Sequence, residues 1–519
     1  MVVVPVADCP QHLAAFVDSL LSLCRAYGYG GVEGGRWRKV QLLIAEDSAD
    51  PAQVAGNRAL AERATQAGLA TLHFGPDEQA ALLATLTDDE CAQLAPMLGD
   101  CSPAYRGHKG QGATRNLAYL HLARSRDATR LLIWSVDSDQ EFSVKIATAD
   151  GDVVAPAISY FHRLDEIFAR TDAQVLTGKV VGDPPVSPAV MAGNFLADVI
   201  AFLDATADGD PRSPCRHHER AAPREGEAAY HDMADLFGFR GAAEAWRYPC
   251  PLAGWHTEGD CFADFAARLS GFFHGEHPTR VSRYVPDDLW RTMQPARTVY
   301  AGNYVFRAES LARAGIAFAP LRLRMSGPTL GRLLKAQLGA RFVSANLPML
   351  HKRTVEGTSQ AEFRPGVCER DAVVDLADEF ERQFFGDVML FTMERLTAQG
   401  YPARRTTEAD FQSALDATRA DLLARYGRRR VDIACKLVLL HQRLDDPTVW
   451  WSRVGHADAL ERFRRFADNI ERNFGADAPV HARIASAEVW QQRRADLAQA
   501  LERYPEDARA WADAVSRHA

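Results

Sequence analysis

The sequence has no C-x-x-C pair, and its nine cysteines are an odd number. Zinc ribbons use closely spaced cysteine pairs, and disulfide frameworks use even numbers of cysteines. We therefore predict reduced thiols and neither of these two scaffolds. The sequence also shows no run of about 18 to 20 apolar residues, the length that a helix needs to cross a membrane. The first residues, MVVVPVADCPQHL, lack the basic segment and long apolar run of a secretory signal. These absences predict a cytoplasmic protein without a transmembrane segment.

Positive charge is also scarce. The formal net charge is −8 and the isoelectric point is about 6.1. Nucleic acids and anionic membranes are bound by clustered positive charge, so neither is an expected partner. Any phosphate-binding site must be local. Hydrophobic residues make up 47% of the 519-residue chain and charged residues 25%, the balance of a soluble globular protein with two or three domains.

Short β-branched runs in the first third of the chain predict buried parallel strands, with helical patterns between them. The runs are Val2 to Val4, Val40 to Ala45 and Leu131 to Val136, and a weaker strand, ATLHF, lies between the second and third. Strands that alternate with helices predict an open α/β sheet, and ligands of such sheets bind at the carboxyl ends of the strands. Acidic residues follow these ends, so we place the functional site there.

The composition and the hydrophobic periodicity of the sequence change twice along the chain. Residues 204–231 are rich in proline, glycine and charge, which predicts a loop. Beyond about residue 370 the strand signal stops and long segments of helical period follow, which predicts an all-helical C-terminal region that could support a homo-oligomer. The predicted organisation is an α/β core at 1–200, a variable loop and insertion at 201–299, the rest of the core at 300–365 and the helical region at 366–519.

The pair Asp137 and Asp139 comes directly after the apolar strand LLIWSV. Mg²⁺ and Mn²⁺ prefer oxygen ligands and often use one or two carboxylates together with substrate phosphates. A metal held there could offset the charge that grows on a leaving diphosphate. An isolated Asp-x-Asp at a strand end is common, so this interpretation depends on its neighbours.

Three neighbouring features favour a nucleotide diphosphate site. The segment from Arg106 to Asn116, RGHKGQGATRN, opens a helix with glycines and cations, which suits an anion. Glu46 and Asp47 end the second strand, where acceptors could hold a base or ribose. His351 follows the late run FVSANLPML and could complete a metal site. Each feature alone is also explained by a turn, a helix cap or a structural histidine.

Taken in order, these pieces resemble the GT-A glycosyltransferases, especially the large family-2-like group. The resembling segments are VVVPVAD, LLIAEDSAD, GQGATRNLA and LLIWSVDSD, so the similarity is clear over about residues 1–150 and loose over 170–355. The resemblance implies a GT-A (Rossmann-like) open mixed sheet flanked by helices, a nucleotide-diphosphate sugar donor such as a UDP- or GDP-sugar, and Mn²⁺ or Mg²⁺ as cofactor. It implies metal ligands Asp137, Asp139 and His351, and nucleotide-binding residues Pro5, Val6, Glu46, Asp47, Lys109, Gly112, Arg115, Asn116 and Asp137.

One departure from the family concerns the catalytic base. Inverting members usually place a Glu-Asp pair where this sequence reads LRMSGPTLGR, at residues 323–332, without a carboxylate. An inverting displacement needs a base within hydrogen-bond reach of the attacking hydroxyl. Either the enzyme retains the anomeric configuration, which we favour, or the base comes from elsewhere. Besides Asp139, the catalytic candidates are then Glu258, Asp260 and Glu309, the first two in a polar segment at 254–280 that could face the acceptor.

Two other functions compete with hexose transfer to an acceptor hydroxyl. A sugar-phosphate nucleotidyltransferase would share the α/β sheet, but such enzymes generally carry a glycine-rich loop after the first strand, and PVADCPQHL has no glycine. A non-catalytic nucleotide-sugar-binding or scaffold protein would use the aspartates only as caps. The sequence does not identify the sugar, the nucleotide base or the acceptor.

Overall fold

A computed structural model describes the fold over residues 1–99, 107–124, 131–148, 151–183, 185, 187–217, 247–313, 321, 323–354, 364–453 and 455–516. Residues 218–231, the second half of the predicted loop 204–231, and Arg106 lie outside the described residues. The β-branched runs of the sequence form the strands. These are β1 Val2–Val6, β2 Val32–Glu33, β3 Arg36–Trp37, β4 Gln41–Glu46, β5 Ala70–Phe74, β6 Leu132–Val136, β7 Gln140–Glu141, β8 Val144–Thr148, β9 Gly151–Ala155, β10 Val175–Thr177, β11 Val180–Gly182, β12 Gln294–Pro295, β13 Asn303–Arg307, β14 Phe342–Ser344, β15 Met349–His351, β16 Cys368–Arg370 and β17 Val373–Asp375.

The helices follow the amphipathic segments and begin at clear start signals. Asp50 accepts a hydrogen bond from the Ala52 amide (2.8 Å), and Thr407 and Asp410 form a reciprocal cap at the longest helix. The helices are α1 Pro10–Tyr27, α2 Pro51–Gln66, α3 Pro76–Leu83, α4 Asp88–Leu98, α5 Gln111–Ala123, α6 Tyr160–Arg170, α7 Pro188–Thr206, α8 Glu258–Arg268, α9 Leu289–Thr292, α10 Ser310–Arg313, α11 Ser326–Leu338, α12 Ala377–Ala398, α13 Glu408–Leu444, α14 Ala457–Phe474, α15 Pro479–Ala485 and α16 Ala487–Ser516.

The main sheet has eight strands in the order β12-β14-β10-β13-β6-β1-β4-β5. Strands β6, β1, β4 and β5 run parallel, whereas β13 is antiparallel to both β6 and β10. The mixed α/β sheet predicted from the sequence is therefore confirmed. Because β6, β1 and β4 are parallel neighbours, the residues that follow them lie at one edge of the sheet.

A small second sheet brings a late part of the chain to the same edge. Its order is β11-β15-β7, and His351 in β15 pairs with Gln140 in β7, one residue after Asp139. The apolar run QVLTGKVVG at residues 174–182 predicts a single strand, but this stretch divides into β10 and β11, which belong to different sheets. The division lets one chain segment support both the main sheet and the site.

The helical region shares its core with earlier parts of the chain. One continuous apolar cluster joins α7 and α8 to α12, α13 and α14, with Phe195 and Phe265 packed near Phe466 and Phe463. The boundary predicted at residue 366 therefore does not separate this layer, because α7 and α8 are already part of it. Helix α16 packs against α10 of the core, where Trp511 donates a hydrogen bond to the Leu311 carbonyl (3.0 Å). Trp450 and Trp451 are buried in the helical layer.

Helix α7 differs from the expectation of no membrane-length apolar segment. Among the residues that the structure describes, Pro188–Thr206 is the one helix that is long and apolar enough to cross a membrane. Within the fold, 72% of its apolar stretch is buried. It also carries Asp198, which is fully buried and forms an ion pair with Arg280 (2.9 Å). In this structure the helix therefore lies at the centre of a protein core. A long apolar helix suits that position as well as it suits a membrane.

Candidate functional site

The site is built where β1, β4 and β6 end. Val6 lies opposite Glu46 in the parallel pair β1 and β4, so Asp8 and Asp47 follow at the same edge. The glycine-rich loop at 107–110 packs onto this edge: His108 Nε2 lies 2.6 Å from Asp8 Oδ2. A β-carbon on Gly107 would lie 2.6 Å from the Ser48 carbonyl oxygen, so only glycine permits this close contact. The loop then leads into α5, as the sequence predicted.

Asp47 and Lys109 bind each other rather than facing outward. The backbone amides of Lys109 and Gly110 donate to the two Asp47 oxygens (2.8 and 2.9 Å), and Lys109 Nζ lies 3.2 Å from Oδ1. Both residues are less than 5% exposed. We expected both to contact nucleotide directly. Their buried pairing instead fixes the glycine-rich loop against the end of β4.

Glu46 is fully buried, which corrects the expectation that it lines the nucleotide pocket. Its Oε1 accepts from the amides of Asp47 and Ser48 (3.0 and 2.8 Å). Its Oε2 accepts from Asn57 Nδ2 (2.9 Å) and lies 3.1 Å from His73 Nε2. Although burial opposes ionisation, these hydrogen bonds lower the pKa of Glu46. The carboxylate therefore shapes the turn after β4.

The other predicted nucleotide-binding residues fall into two groups. Pro5 and Val6 are buried within β1, and Asn116 donates to the Met97 carbonyl (2.8 Å), so Asn116 joins α5 to α4. These three contribute to the frame of the site. Gly112 lies in the first turn of α5 and is partly exposed, and Arg115 reaches the aspartate strand.

Arg115 holds Asp137 in place. Its guanidinium donates to Asp137 Oδ1, to Ser135 Oγ (3.0 Å) and to the Ala301 carbonyl (3.3 Å). Burial and the nearby Asp139 carboxylate raise the pKa of Asp137, and the Arg115 charge opposes that rise. The pairing leaves Asp137 Oδ2 unused by Arg115, so one oxygen of this side chain remains for a ligand.

Asp139 and His351 meet directly, as the sequence predicted. Asp139 Oδ2 lies 3.3 Å from His351 Nε2 and accepts a hydrogen bond from Arg353 Nη1 (2.9 Å). Burial alone would raise the pKa of Asp139, but the His351 and Arg353 side chains outweigh it and hold this pKa well below its ordinary value. The carboxylate is therefore ionised at neutral pH.

Two atoms of this pair are suited to a divalent cation. Asp139 Oδ1 is buried and has no hydrogen-bond partner among the described residues. His351 Nδ1 lies 2.6 Å from the Asp183 carbonyl, a contact that requires the proton on Nδ1 and makes Nε2, which faces Asp139, the ring nitrogen that can bind a cation. A carboxylate oxygen beside an imidazole nitrogen held in this way suits Mn²⁺ better than the harder Mg²⁺.

A group of cations surrounds the pair, and the sequence analysis missed it. A β-carbon on Gly275 would lie 2.6 Å from Arg364 Nη1 and 3.3 Å from Arg353 Nε, so both guanidinium groups pack against this glycine. Burial and the neighbouring Arg353 lower the pKa of Arg364 to about 9, which leaves it charged at neutral pH. His277 is close to the same positive charges, and burial together with these arginines lowers its pKa to about 3. The end of the segment 254–280 therefore does border the site.

Glu309 lies at the wrong end of the sheet to serve as the base. In the antiparallel pair of β13 and β6, Asn303 is opposite Val136 and Arg307 is opposite Leu132. Glu309 follows Arg307, so it lies near the amino end of β6, whereas Asp137 and Asp139 follow the carboxyl end. At about 3.3 Å per residue, a five-residue strand separates the two ends by roughly 15 Å.

Glu258 and Asp260 both make structural contacts at the start of α8. Glu258 is 1% exposed, and its carboxylate accepts from the Arg216 amide (2.8 Å) and lies 3.1 Å from His217 Nε2. Asp260 caps α8 by accepting from the amide and hydroxyl of Thr257, both at 2.8 Å. These contacts give the two carboxylates structural roles instead of the predicted catalytic ones.

Comparison with models of known protein families finds no match to this chain, and no curated protein matches it significantly. The residues and their geometry therefore carry the functional argument.

Proposed function

We propose that this chain is a metal-dependent glycosyltransferase of the GT-A type, which takes a hexose from a nucleotide-diphosphate sugar. The observation that carries the proposal is the contact of Asp139 with His351 at the carboxyl edge of a mixed α/β sheet. Distant parts of the sequence supply the two side chains, and a strand cap or a structural histidine does not explain why they converge. The glycine-rich loop and Arg115 lie at the same edge.

Asp139 Oδ1 and His351 Nε2 would hold the Mn²⁺ or Mg²⁺ ion, with Asp137 Oδ2 toward the metal or the ribose. The bound metal would supply Lewis-acid stabilisation of the charge on the leaving diphosphate. Arg353 and Arg364 provide fixed positive charge beside these ligands. Arg115 orients Asp137, and the Asp183 carbonyl orients His351. These residues thus bind and position an anionic donor.

The positions of the three predicted base candidates favour retention of the anomeric configuration. Glu309 lies at the opposite edge, and Glu258 and Asp260 are held in the α8 cap. Residues 323–332 contain no carboxylate. In a retaining transfer no protein carboxylate has to lie opposite the leaving group. Nuclear magnetic resonance of the first-formed product would distinguish the two stereochemical outcomes.

The proposal is tested by thermal unfolding of the full chain with UDP or GDP, with and without Mn²⁺. We expect one nucleotide to raise the melting temperature only when Mn²⁺ is present, because both must share the Asp139 site. A ligand at a hundredfold excess over its Kd stabilises the folded state by about 2.7 kcal/mol. Asp139→Asn should remove the metal-dependent part of the shift.

The competing functions give different results in the same experiment. No shift with any nucleotide diphosphate would contradict the proposal and favour a scaffold protein. Stabilisation by a nucleoside triphosphate, with release of pyrophosphate from that triphosphate and a sugar phosphate, would identify a nucleotidyltransferase.

A second test uses Gly302, which packs against the side chains of Asp137 and Gln140. A β-carbon there would lie 2.2 Å from Gln140 Nε2 and 2.8 Å from Asp137 Oδ2, closer than real contacts allow. Gly302→Ala should therefore displace Asp137. Misplacement of a reacting group by 1 Å can cost about a hundredfold in rate, so we expect a loss of that order in turnover with Mn²⁺ and donor.

Gly56→Ala on α2 is the matched control. Nothing lies within 4 Å of a β-carbon at that position, and alanine favours a helix over glycine by about 0.8–1.0 kcal/mol. This variant should keep full turnover and unfold at the same or a higher temperature. Unchanged turnover in Gly302→Ala would show that the space beside Asp137 is not part of the donor site.

A further inference from the structure

A second cluster of potential metal ligands lies at the start of α8 and shares no residue with the Asp139 site. Cys215, Cys250, His256 and Cys261 each place one ligand atom within 4.8 Å of the others. Three chain segments contribute: the stretch after α7, the stretch before α8, and the first turns of α8 itself. His256 and Cys261 are buried, and Cys215 and Cys250 are partly buried.

The distances between the ligand atoms are slightly shorter than the edges of a tetrahedral zinc site. Cys250 Sγ lies 3.2 Å from His256 Nε2 and 3.6 Å from Cys261 Sγ, and the Sγ atoms of Cys215 and Cys261 are 3.2 Å apart. A thiolate tetrahedron with zinc–sulfur bonds of about 2.3 Å has edges of roughly 3.8 Å. The three cysteines are free, since these sulfur–sulfur distances are well beyond the bond of about 2.05 Å in a disulfide.

Neighbouring groups prepare the ligands for a cation. His256 Nδ1 lies 2.8 Å from the Gly254 carbonyl, which requires the proton on Nδ1 and directs the Nε2 lone pair at the sulfurs. The His217 amide donates to Cys215 Sγ (3.2 Å).

The backbone around the cluster is also held together. Pro214 and Thr257 form an antiparallel bridge, and the Cys215 amide donates to the His256 carbonyl (3.1 Å). The Cys250 amide donates to the His217 carbonyl (3.3 Å). The ligands are thus placed by main-chain pairing, and four protein side chains leave no open coordination position.

We propose that Cys215, Cys250, His256 and Cys261 hold a structural zinc ion that ties the chain on both sides of residues 218–246 to helix α8. Three sulfurs and one imidazole suit Zn²⁺, whereas Mn²⁺ and Mg²⁺ prefer oxygen ligands. A closed four-ligand set stabilises a fold and does not bind substrate. This site is independent of the proposed transferase activity.

The test is metal analysis of the purified full chain, expressed with zinc and dialysed without chelator. We expect about one zinc ion per chain in the natural sequence, and much less in Cys215→Ser and in Cys261→Ser. Cys435→Ser is the matched control, because Cys435 is an exposed thiol on α13. Wild-type protein without zinc, or zinc that persists in Cys215→Ser, would overturn the proposal.

A second measurement on the unmutated chain covers the case in which the variants do not fold. Replacement of zinc by Co²⁺ should give thiolate-to-cobalt charge-transfer absorption together with the bands of a tetrahedral site. Chelation should then release three additional reactive thiols. An intact mass that reveals a disulfide among these cysteines, or a cobalt spectrum without thiolate bands, would show that the cluster does not bind a metal.

Discussion

Replacing Asp139 with asparagine is expected to lower metal-dependent turnover by a thousandfold or more. Lewis-acid stabilisation by a bound metal supplies several kcal/mol, and about 1.4 kcal/mol corresponds to a factor of ten in rate. The variant removes the negative charge beside His351 and leaves a weak neutral ligand for the cation. Steady-state hydrolysis or transfer from the nucleotide-sugar donor, measured across Mn²⁺ concentrations, gives the effect.

The variant should still fold, although loss of the Asp139 charge beside His351 and Arg353 should lower its stability. An asparagine at position 139 fills the same volume, and its amide oxygen still accepts the hydrogen bond from Arg353. Asp18→Asn, an exposed aspartate on α1, controls for loss of one negative charge in the same domain. If Asp139→Asn keeps full turnover at all metal concentrations, the assignment of this carboxylate as a metal ligand is wrong.

Replacing Asp387 with asparagine is expected to stabilise the protein at neutral and alkaline pH. Asp387 lies fully buried in α12, where it accepts from Tyr426 Oη and Gln383 Nε2, both at 2.7 Å. Burial raises the pKa of Asp387 from 3.8 to about 7, although these hydrogen bonds and the charges of Arg429 and Arg324 oppose the rise. The folded state therefore keeps a proton that the unfolded chain loses near pH 4.

The sign of the pH dependence follows from this difference. Where the folded state binds more protons than the unfolded state, the free energy of unfolding falls as pH rises. We expect stability to fall between about pH 4 and pH 7, by up to about 4 kcal/mol for a pKa difference of this size. The asparagine variant has no proton to lose, and its new amide can donate to Gln383 Oε1, which lacks a partner among the described residues.

Thermal unfolding of both proteins at pH 5 and pH 8 measures the effect. The melting temperature of the variant should rise relative to that of the natural sequence as pH rises. Because both proteins share all other titrating groups, the difference between them reports Asp387. Asp468→Asn, an exposed position on α14, should follow the natural sequence at both pH values. A constant difference between the Asp387 variant and the natural sequence would show that this carboxyl does not titrate in the window.

The sequence predicted the frame of the site well because the frame depends on local patterns. Strands β1, β4 and β6 are β-branched runs, and their parallel arrangement follows from the helices between them. The pairing of Asp139 with His351 also agrees with the prediction, which relied on the order of motifs along the chain. The division of residues 174–182 between two sheets could not be predicted, because pairing partners far along the sequence decide it.

The contacts of individual side chains were less predictable. Glu46, Asp47 and Lys109 look like ligand-binding residues in the sequence, yet they satisfy one another or the backbone. The proposed zinc ligands show the reverse case, since the sequence did not single them out although the structure brings them together. Their spacing is far from C-x-x-C, and only the pairing of residues near Pro214 with those near Thr257 makes them neighbours. Arg353, two residues after His351, could have been found as a cation beside that histidine.

The sharing of one core by α7 and α13 has a consequence for synthesis on the ribosome. Helix α7 is the most apolar long helix described, and α13, which packs along it, begins about 200 residues later. At about 5–20 residues per second, roughly 10–40 s pass before that partner emerges. During this interval the nascent chain displays an apolar surface, so its yield in cells should depend on chaperones that bind nascent polypeptides.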